Sequence, residues 1–489
     1  GDRYLVGRKL RKFRVDFYPP PHNAYQPWGR WVAGLPYGMV VELRIFRGIC
    51  LTVGMAAYGL ALGGEPAGKT REAVFAASDL RQSPLNEETL SETTSNGVVT
   101  TDFFFSGGEF NGQPSRIRAF YSRPEKKGVY PGVVQLHGAG LDVLNSKASI
   151  CYASNGFACI SIDWCGPERK RKKPRNPPYS EFNEAGKQAT VEVFPDEIGA
   201  NGKKPRYDYH AVPVEADGIG AGVRFVRRSV MFLKSRPEVQ HDQLFLSGMS
   251  AGAHLSLLVL GVEPSFKGAA VKYGCAYIRD FPGYFGGYFG PLYLCPKPEQ
   301  DAWLRVFEPR HGLPDYAASV LLLSGTDDIF FMMPLVLETY RNIPSEKRLL
   351  MLPNDNHSQV GNEILPARYF RSLLGKAPAF PDAEAPTAEV VGQEIRLRCA
   401  VKVPSPLLKS VFYVKRMPVA NFEFRKSKDV KWEAVPTTLQ KKVCSAMIPA
   451  PAEGEQVIAY LLLEDETGAR ISSDTVEIPA YPKWRGVTQ

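Results

Sequence analysis

The stretch QLFLSGMSAGAHLSLLVL, residues 243–260, decides how this chain is read. Leu244-Phe245-Leu246 is a short apolar run of the kind that forms a buried parallel strand. Gly248-Met249-Ser250-Ala251-Gly252 follows, and then an apolar segment with helical spacing. The pattern is G-x-S-x-G between a strand and a helix, the setting of a nucleophile elbow. A backbone that turns so sharply at Ser250 has no room for side chains two residues to either side, which accounts for both glycines. The turn exposes the Ser250 hydroxyl, and the N–H groups of the following helix face any oxyanion formed there. The plain alternative is a Gly/Ser turn that packs a helix close to a strand.

Serine is a poor nucleophile without a base, and the base needs a carboxylate to orient it. In this strand order the partners should follow as serine, acid, histidine. Leu323-Ser324-Gly325-Thr326-Asp327-Asp328 puts two acids in the loop after one strand, and Leu352-Pro353-Asn354-Asp355-Asn356-His357 puts a histidine after the next. Further upstream, His137-Gly138-Ala139-Gly140 ends another apolar strand. Its small residues would let backbone N–H groups approach a carbonyl oxygen, with Ala139 or Gly140 as one donor and Ala251 as the other. His254 lies on the elbow helix and reads as packing.

The surrounding pattern alternates strands with helices. Val98–Phe105 and Arg116–Ser122 predict a hairpin, and Gly132–Leu136, Phe157–Ile162, Gly268–Tyr273, Ser319–Ser324 and Arg348–Leu352 predict buried strands. Helices are expected over 213–236, 332–342 and 358–374, so the sheet should be mostly parallel. Residues 277–312 read as an irregular aromatic segment. After an Ala/Pro linker at 376–386, short alternating strands such as Glu394–Val401, Ser410–Lys415, Lys442–Met447 and Val457–Leu463 imply a β-sandwich over 387–489.

At 489 residues, 44% hydrophobic and 23% charged, the composition is that of a soluble globular protein of more than one domain. The net charge of +9 is concentrated in the first 47 residues and in Arg169–Arg175, inside a Pro/Gly-rich insertion at 166–210. Such a cluster suits nucleic acid or an acidic polymer, or is simply a solvated loop; the last is preferred, and no nucleic-acid partner is expected. Eight cysteines include no C-x-x-C, and no Cys/His spacing suits zinc, so no metal site is expected. Cys399 with Cys444 and Cys275 with Cys295 are candidate pairs, although connectivity is not readable. Residues 1–38 show no hydrophobic period and are expected to lie outside the mature protein. Arg44 and Arg47 precede an apolar run ending at Gly63-Gly64, which predicts a signal peptide over 39–63. An uncleaved anchor is the alternative, but the run is short and Gly-rich for a membrane span. The expected product is secreted or periplasmic, without stable membrane insertion, with a lead-in at 64–97 and a catalytic domain at 98–375.

VVQLHGAG, GMSAG, SGTDD and NDNH, in that order, make residues 97–375 resemble an α/β-hydrolase, and within that superfamily the acetylxylan-esterase and dienelactone-hydrolase-like branch. The resemblance implies an α/β fold, with a mostly parallel central sheet and helices on both faces. It also implies ester hydrolysis through an acyl-enzyme on Ser250, with no metal or organic cofactor. The substrate would be a small ester or an acylated polysaccharide such as xylan. SGTDD is similar to the G-x-x-D pattern of serine hydrolases, which selects Asp328 over Asp327 as the partner of His357. The loop reads HGAG where HGGG or HGGH is commoner, and the insertion 166–210 is foreign to a minimal core. The trailing strands resemble immunoglobulin-like accessory domains of exported carbohydrate-acting enzymes. Two other readings stand beside this one. A prolyl-oligopeptidase-type peptidase shares the fold, but too few residues precede Val98 for its usual propeller. A carbohydrate- or surface-binding protein with a vestigial core is opposed by the full set of Ser, Asp and His candidates.

Overall fold

A computed structural model describes residues 70–76, 83–110, 113–138, 144–164, 218–278, 297–360, 362–418 and 430–479. The runs expected as strands and helices appear as such. In chain order they begin with helix α1 (Arg71–Ala76) and strands β1 (Glu88–Ser95), β2 (Val98–Phe110), β3 (Gln113–Pro124) and β4 (Tyr130–Leu136). Next come α2 (Lys147–Ser154), β5 (Ala158–Ile162), α3 (Gly218–Lys234), β6 (Val239–Met249), α4 (Ala251–Leu260) and β7 (Phe266–Lys272). This part closes with α5 (Lys297–Phe307), β8 (Ser319–Gly325), α6 (Met333–Asn342), β9 (Lys347–Leu352) and α7 (Ile364–Leu373).

The strands lie in the order β1-β2-β3-β5-β4-β6-β7-β8-β9. The first three form an antiparallel meander, β3 meets β5 antiparallel, and β5 through β9 run parallel. Alternation along β6 sends neighbouring side chains to opposite faces. Phe245 stacks on Phe370 of α7 at 4.6 Å between centroids, and α2 joins that face through Tyr152, which stacks on the same Phe370. Leu244 points the other way, and with Leu233 of α3 it crowds Gly132. Helices therefore cover both faces, and strands buried on both sides read as continuous apolar runs. Register aligns Leu136 with Gly248, Gly248 with Val271, Lys272 with Leu323, and Leu323 with Leu350. The loops after β4, β6, β8 and β9 consequently open on one rim of the sheet.

Three expectations about boundaries need correction. The lead-in at 64–97 contains α1 and β1; β1 is exposed throughout and is held by its backbone ladder to β2 and by polar contacts of Glu92 with Thr101 and Glu88 with Arg116, so it carries no apolar signal. The aromatic segment 277–312 contains α5, whose buried Trp303, Leu304 and Phe307 face the core. The linker 376–386 contains β10 (Asp382–Ala383), which pairs with β12 (Glu394–Lys402). Beyond it lie β11 (Thr387–Val391), β13 (Leu407–Pro418), β14 (Glu433–Pro436), β15 (Thr438–Gln440), β16 (Val443–Pro449), β17 (Glu455–Asp465), β18 (Arg470–Ser472) and β19 (Val476–Ile478).

These C-terminal strands form two antiparallel groups, and one of them continues the central sheet. β18 pairs with β9 at Ser472 and Leu349, and β17, β13 and β14 follow in order. The Ser472 hydroxyl also accepts from Met351 N–H at 2.9 Å. The other group runs β10-β12-β16-β15, with β11 beside β12. Cys399 and Cys444 sit opposite each other on β12 and β16, yet both are free thiols. Cys399 Sγ turns to the Glu384 carbonyl at 3.2 Å and Cys444 Sγ to Ser410 Oγ at 3.1 Å. Cys275 is free as well, and Cys295 lies outside the described residues. So do the signal-like stretch 39–63 and the insertion 166–210. No helix among the described residues is long and apolar enough to cross a membrane.

Candidate active site

β6 ends at Met249, and the chain turns at Ser250 with φ 56° and ψ −119° before α4 begins at Ala251. A non-glycine residue rarely adopts this conformation, and close packing holds it there. A Cβ on Gly248 would lie 2.7 Å from the Gly252 carbonyl carbon; one on Gly252 would lie 2.8 Å from the Leu136 carbonyl oxygen. The glycines are thus required by contact as well as by the turn. Ser250 N–H donates to the Lys272 carbonyl at 2.8 Å, tying the elbow to β7. Beneath it the buried Lys272 ammonium pairs with Glu363, which also accepts from Ser247 Oγ at 3.0 Å and Tyr152 OH at 2.7 Å.

Asp328 and His357 converge on this serine from the loops after β8 and β9. His357 Nε2 is 3.0 Å from Ser250 Oγ, and Nδ1 is 2.8 Å from Asp328 Oδ2. The Asp328 side chain is fully buried, and its other oxygen accepts from Phe330 N–H at 2.8 Å and Phe331 N–H at 3.1 Å. That carboxylate cannot swing away from the imidazole without giving up two backbone donors. Asp327, the second acid of the pair, points elsewhere and meets Lys415 of β13 at 3.5 Å. Burial raises the Asp327 carboxyl above the ordinary aspartate range, against the pull of Lys415 and Lys431.

The oxyanion candidates divide. Ala251 stands at the start of α4, directly after Ser250. Ala139 and Gly140 lie outside the described residues, but the loop leading to them is close: a Cβ on Gly138 would be 3.3 Å from Ser250 Cβ. Trp164 Nε1–H donates to the His137 carbonyl at 2.9 Å and its ring stacks on the His137 imidazole, which fixes the start of that loop. His254 is fully buried in α4 and stacks on Trp303; burial holds its imidazole neutral, with the pKa lowered to about 3. Among the described residues no group of His, Cys, Asp and Glu side chains is placed to hold a metal ion.

Several supporting residues escape sequence reasoning. The Tyr273 ring lies 4.4 Å from the His357 ring, centroid to centroid, and its hydroxyl donates to Asp355 and accepts from Val360 N–H at 2.9 Å. Asp355 in turn accepts from Ser358 N–H at 3.1 Å. Tyr273 and Asp355 brace the short loop that carries His357, whose φ is 110°. Asp355 sits within NDNH, so its place in the motif was its only signal. Tyr273 gave none beyond ending a strand.

Over 250 residues the chain is 27% identical to acetyl esterase Axe7A of Xylanibacter ruminicola, a match covering 49% of this chain and 52% of that protein. The chain resembles the acetylxylan-esterase-like branch of the α/β-hydrolases. It spans about half the length of the curated relative it matches. Among solved structures, acetyl xylan esterase 1 from Thermoanaerobacterium sp. aligns with TM-score 0.47 and 16% identity over 66% of this chain and 99% of that one. The acetyl xylan esterase from Paenibacillus sp. R4 aligns with TM-score 0.45 and 16% identity, covering 61% and 92%. No family model matches the chain.

Proposed function

We propose that this chain hydrolyses carboxylic esters through an acyl-enzyme on Ser250, acetyl esters of plant polysaccharide such as xylan being the substrate class. The observation that carries the reading is the relay from Ser250 Oγ through His357 to Asp328, at 3.0 and 2.8 Å, on a strained elbow. His357 Nε2 takes the hydroxyl proton as Oγ attacks the ester carbonyl, and Asp328 holds Nδ1–H and steadies the imidazolium. The tetrahedral oxyanion sits against the Ala251 N–H and a donor from Ala139 or Gly140. His357 then protonates the departing alcohol, and water repeats the sequence to release the acid. The acetyl group follows from the resemblance and from the acetyl-esterase relative. Export, from the signal-like stretch 39–63, and an immunoglobulin-like accessory sandwich over 387–489 complete the proposal.

The test is hydrolysis of p-nitrophenyl acetate beside acetate release from acetylated xylan and cleavage of a proline-containing peptide. Parent enzyme should act on the esters, and Ser250→Ala should lose about 10⁴-fold or more in kcat with an unchanged melting temperature. Equal rates in parent and variant would remove Ser250 from the mechanism, and peptide cleavage without esterase activity would move the protein to the peptidase reading.

A further inference from the structure

The C-terminal strands touch both loops that carry the acid and the base. Along β13, alternation puts Phe412 and Val414 in the interior of the C-terminal strands and would turn Lys415 to solvent. Instead the Lys415 side chain is 3% exposed, with Nζ 3.5 Å from Asp327 Oδ1 and 5.6 Å from the centre of the Trp432 ring. Asp327 immediately precedes Asp328. Trp432, just before β14, reaches the other loop: its N–H donates to Asn354 Oδ1 at 2.9 Å, and Asn354 Nδ2 donates back to its carbonyl at 3.4 Å. Asn354 lies three residues before His357. The two loops also hold each other, Asp327 N–H donating to the Asp355 carbonyl at 3.0 Å and Asn354 N–H to Thr326 Oγ1 at 2.8 Å.

Asp327 and Asp328 are adjacent and both buried, so their negative charges repel each other unless one of them is balanced. A single ammonium against Asp327 removes one of the two negative charges and leaves Asp328 alone to set the histidine. We propose that Lys415 is a positioning residue for the esterase reaction, its buried ammonium neutralising Asp327 so that the C-terminal strands fix the place and potential of the Asp328–His357 pair. The proposal rests on the reading of Ser250, His357 and Asp328 as the reacting groups. His357 itself faces Asp328, Ser250 and the rings of Tyr273, Phe330 and Phe331, with Asp355 behind Tyr273. Asp327 faces Lys415, the Thr326 hydroxyl at 3.4 Å and the field of the exposed Lys431. Of these, Lys415 and Asp327 are the pair that can be neutralised without touching a reacting group.

The experiment follows kcat/KM for p-nitrophenyl acetate against pH in full-length parent, Asp327→Asn and Asp327→Asn/Lys415→Met. Asp327→Asn leaves the Lys415 charge unmatched by Asp327, disfavours the imidazolium, and should move the acid limb down by on the order of 0.5 pH unit. Removing Lys415 as well should return the limb to the parent position, a recovery that a purely structural contact does not give. Should Lys415→Met misfold alone, the double variant, which keeps neither charge, still supplies the readout. A limb that stays in place in Asp327→Asn, or that the second substitution fails to bring back, overturns the proposal. Parent enzyme inactive on esters, or matched by Ser250→Ala, overturns the esterase reading instead.

Discussion

The elbow at Ser250 and the loop at His357 both hold a residue in an unusual backbone conformation, and they do so by different means. At the elbow the restraint is close backbone packing: Gly248 lies against the Gly252 carbonyl, Gly252 against the Leu136 carbonyl, and α4 starts in the next residue. At His357 it is remote. The imidazole is placed by Asp328, by the Tyr273 ring and by a loop pinned through Asp355 and through Asn354 to Trp432. A nucleophile set by short-range sterics survives changes elsewhere in the fold, whereas a base set by distant partners answers to all of them.

Substitutions at three distances from the base test that contrast. Asp328→Asn, in direct contact, should lower kcat by about 10⁴-fold, because the amide cannot hold the imidazole in the right tautomer. Its remaining carbonyl can still accept from Phe330 and Phe331, so thermal unfolding should change little; a loss under tenfold in kcat would hand the role to Asp327. Tyr273→Phe, one layer out, deprives Asp355 of a donor and Val360 N–H of an acceptor. It should cost about 1–3 kcal/mol in a denaturant titration and on the order of tenfold in kcat, with the reactivity of Ser250 toward a fluorophosphonate falling in parallel. Unaltered kcat would mean that ring packing alone orients the histidine. Arg341→Ala, farthest away, breaks a half-exposed pair with Asp474, at 2.8 Å, that joins α6 to the turn after β18. It should cost under about 1 kcal/mol and leave kcat unchanged. A clear fall in kcat would show that the sheet junction, and not the contacts at Lys415 and Trp432, couples the C-terminal strands to the site.

The same division explains what could be read from the chain itself. G-x-S-x-G, the apolar runs and the order of Ser250, Asp328 and His357 are short-range signals, and the structure brings those three residues together. The loops after β4, β6, β8 and β9 share a rim because parallel pairing aligns strand ends, a rule that needs no coordinates. What alternation could not show is that β13 has no solvent face at Lys415, or that β18 would add to β9. Both depend on where a second set of strands docks, and docking leaves no periodicity in either sequence. β1 was missed for a simpler reason: it is exposed along its whole length and is held by backbone pairing and a few surface polar contacts, none of which leaves an apolar pattern.

Lys415 lies 88 residues downstream of the carboxylate it faces. A ribosome adding about 5–20 residues per second needs several seconds to cover that distance. For the last 58 of those 88 residues, from His357 to Lys415, both loops of the reacting pair are in the nascent chain, while the ammonium against Asp327 and the Trp432 backbone that holds Asn354 are still to come. Chain order thus makes the acid–base pair the last part of the site to receive its surroundings, well after the elbow has all the residues it needs.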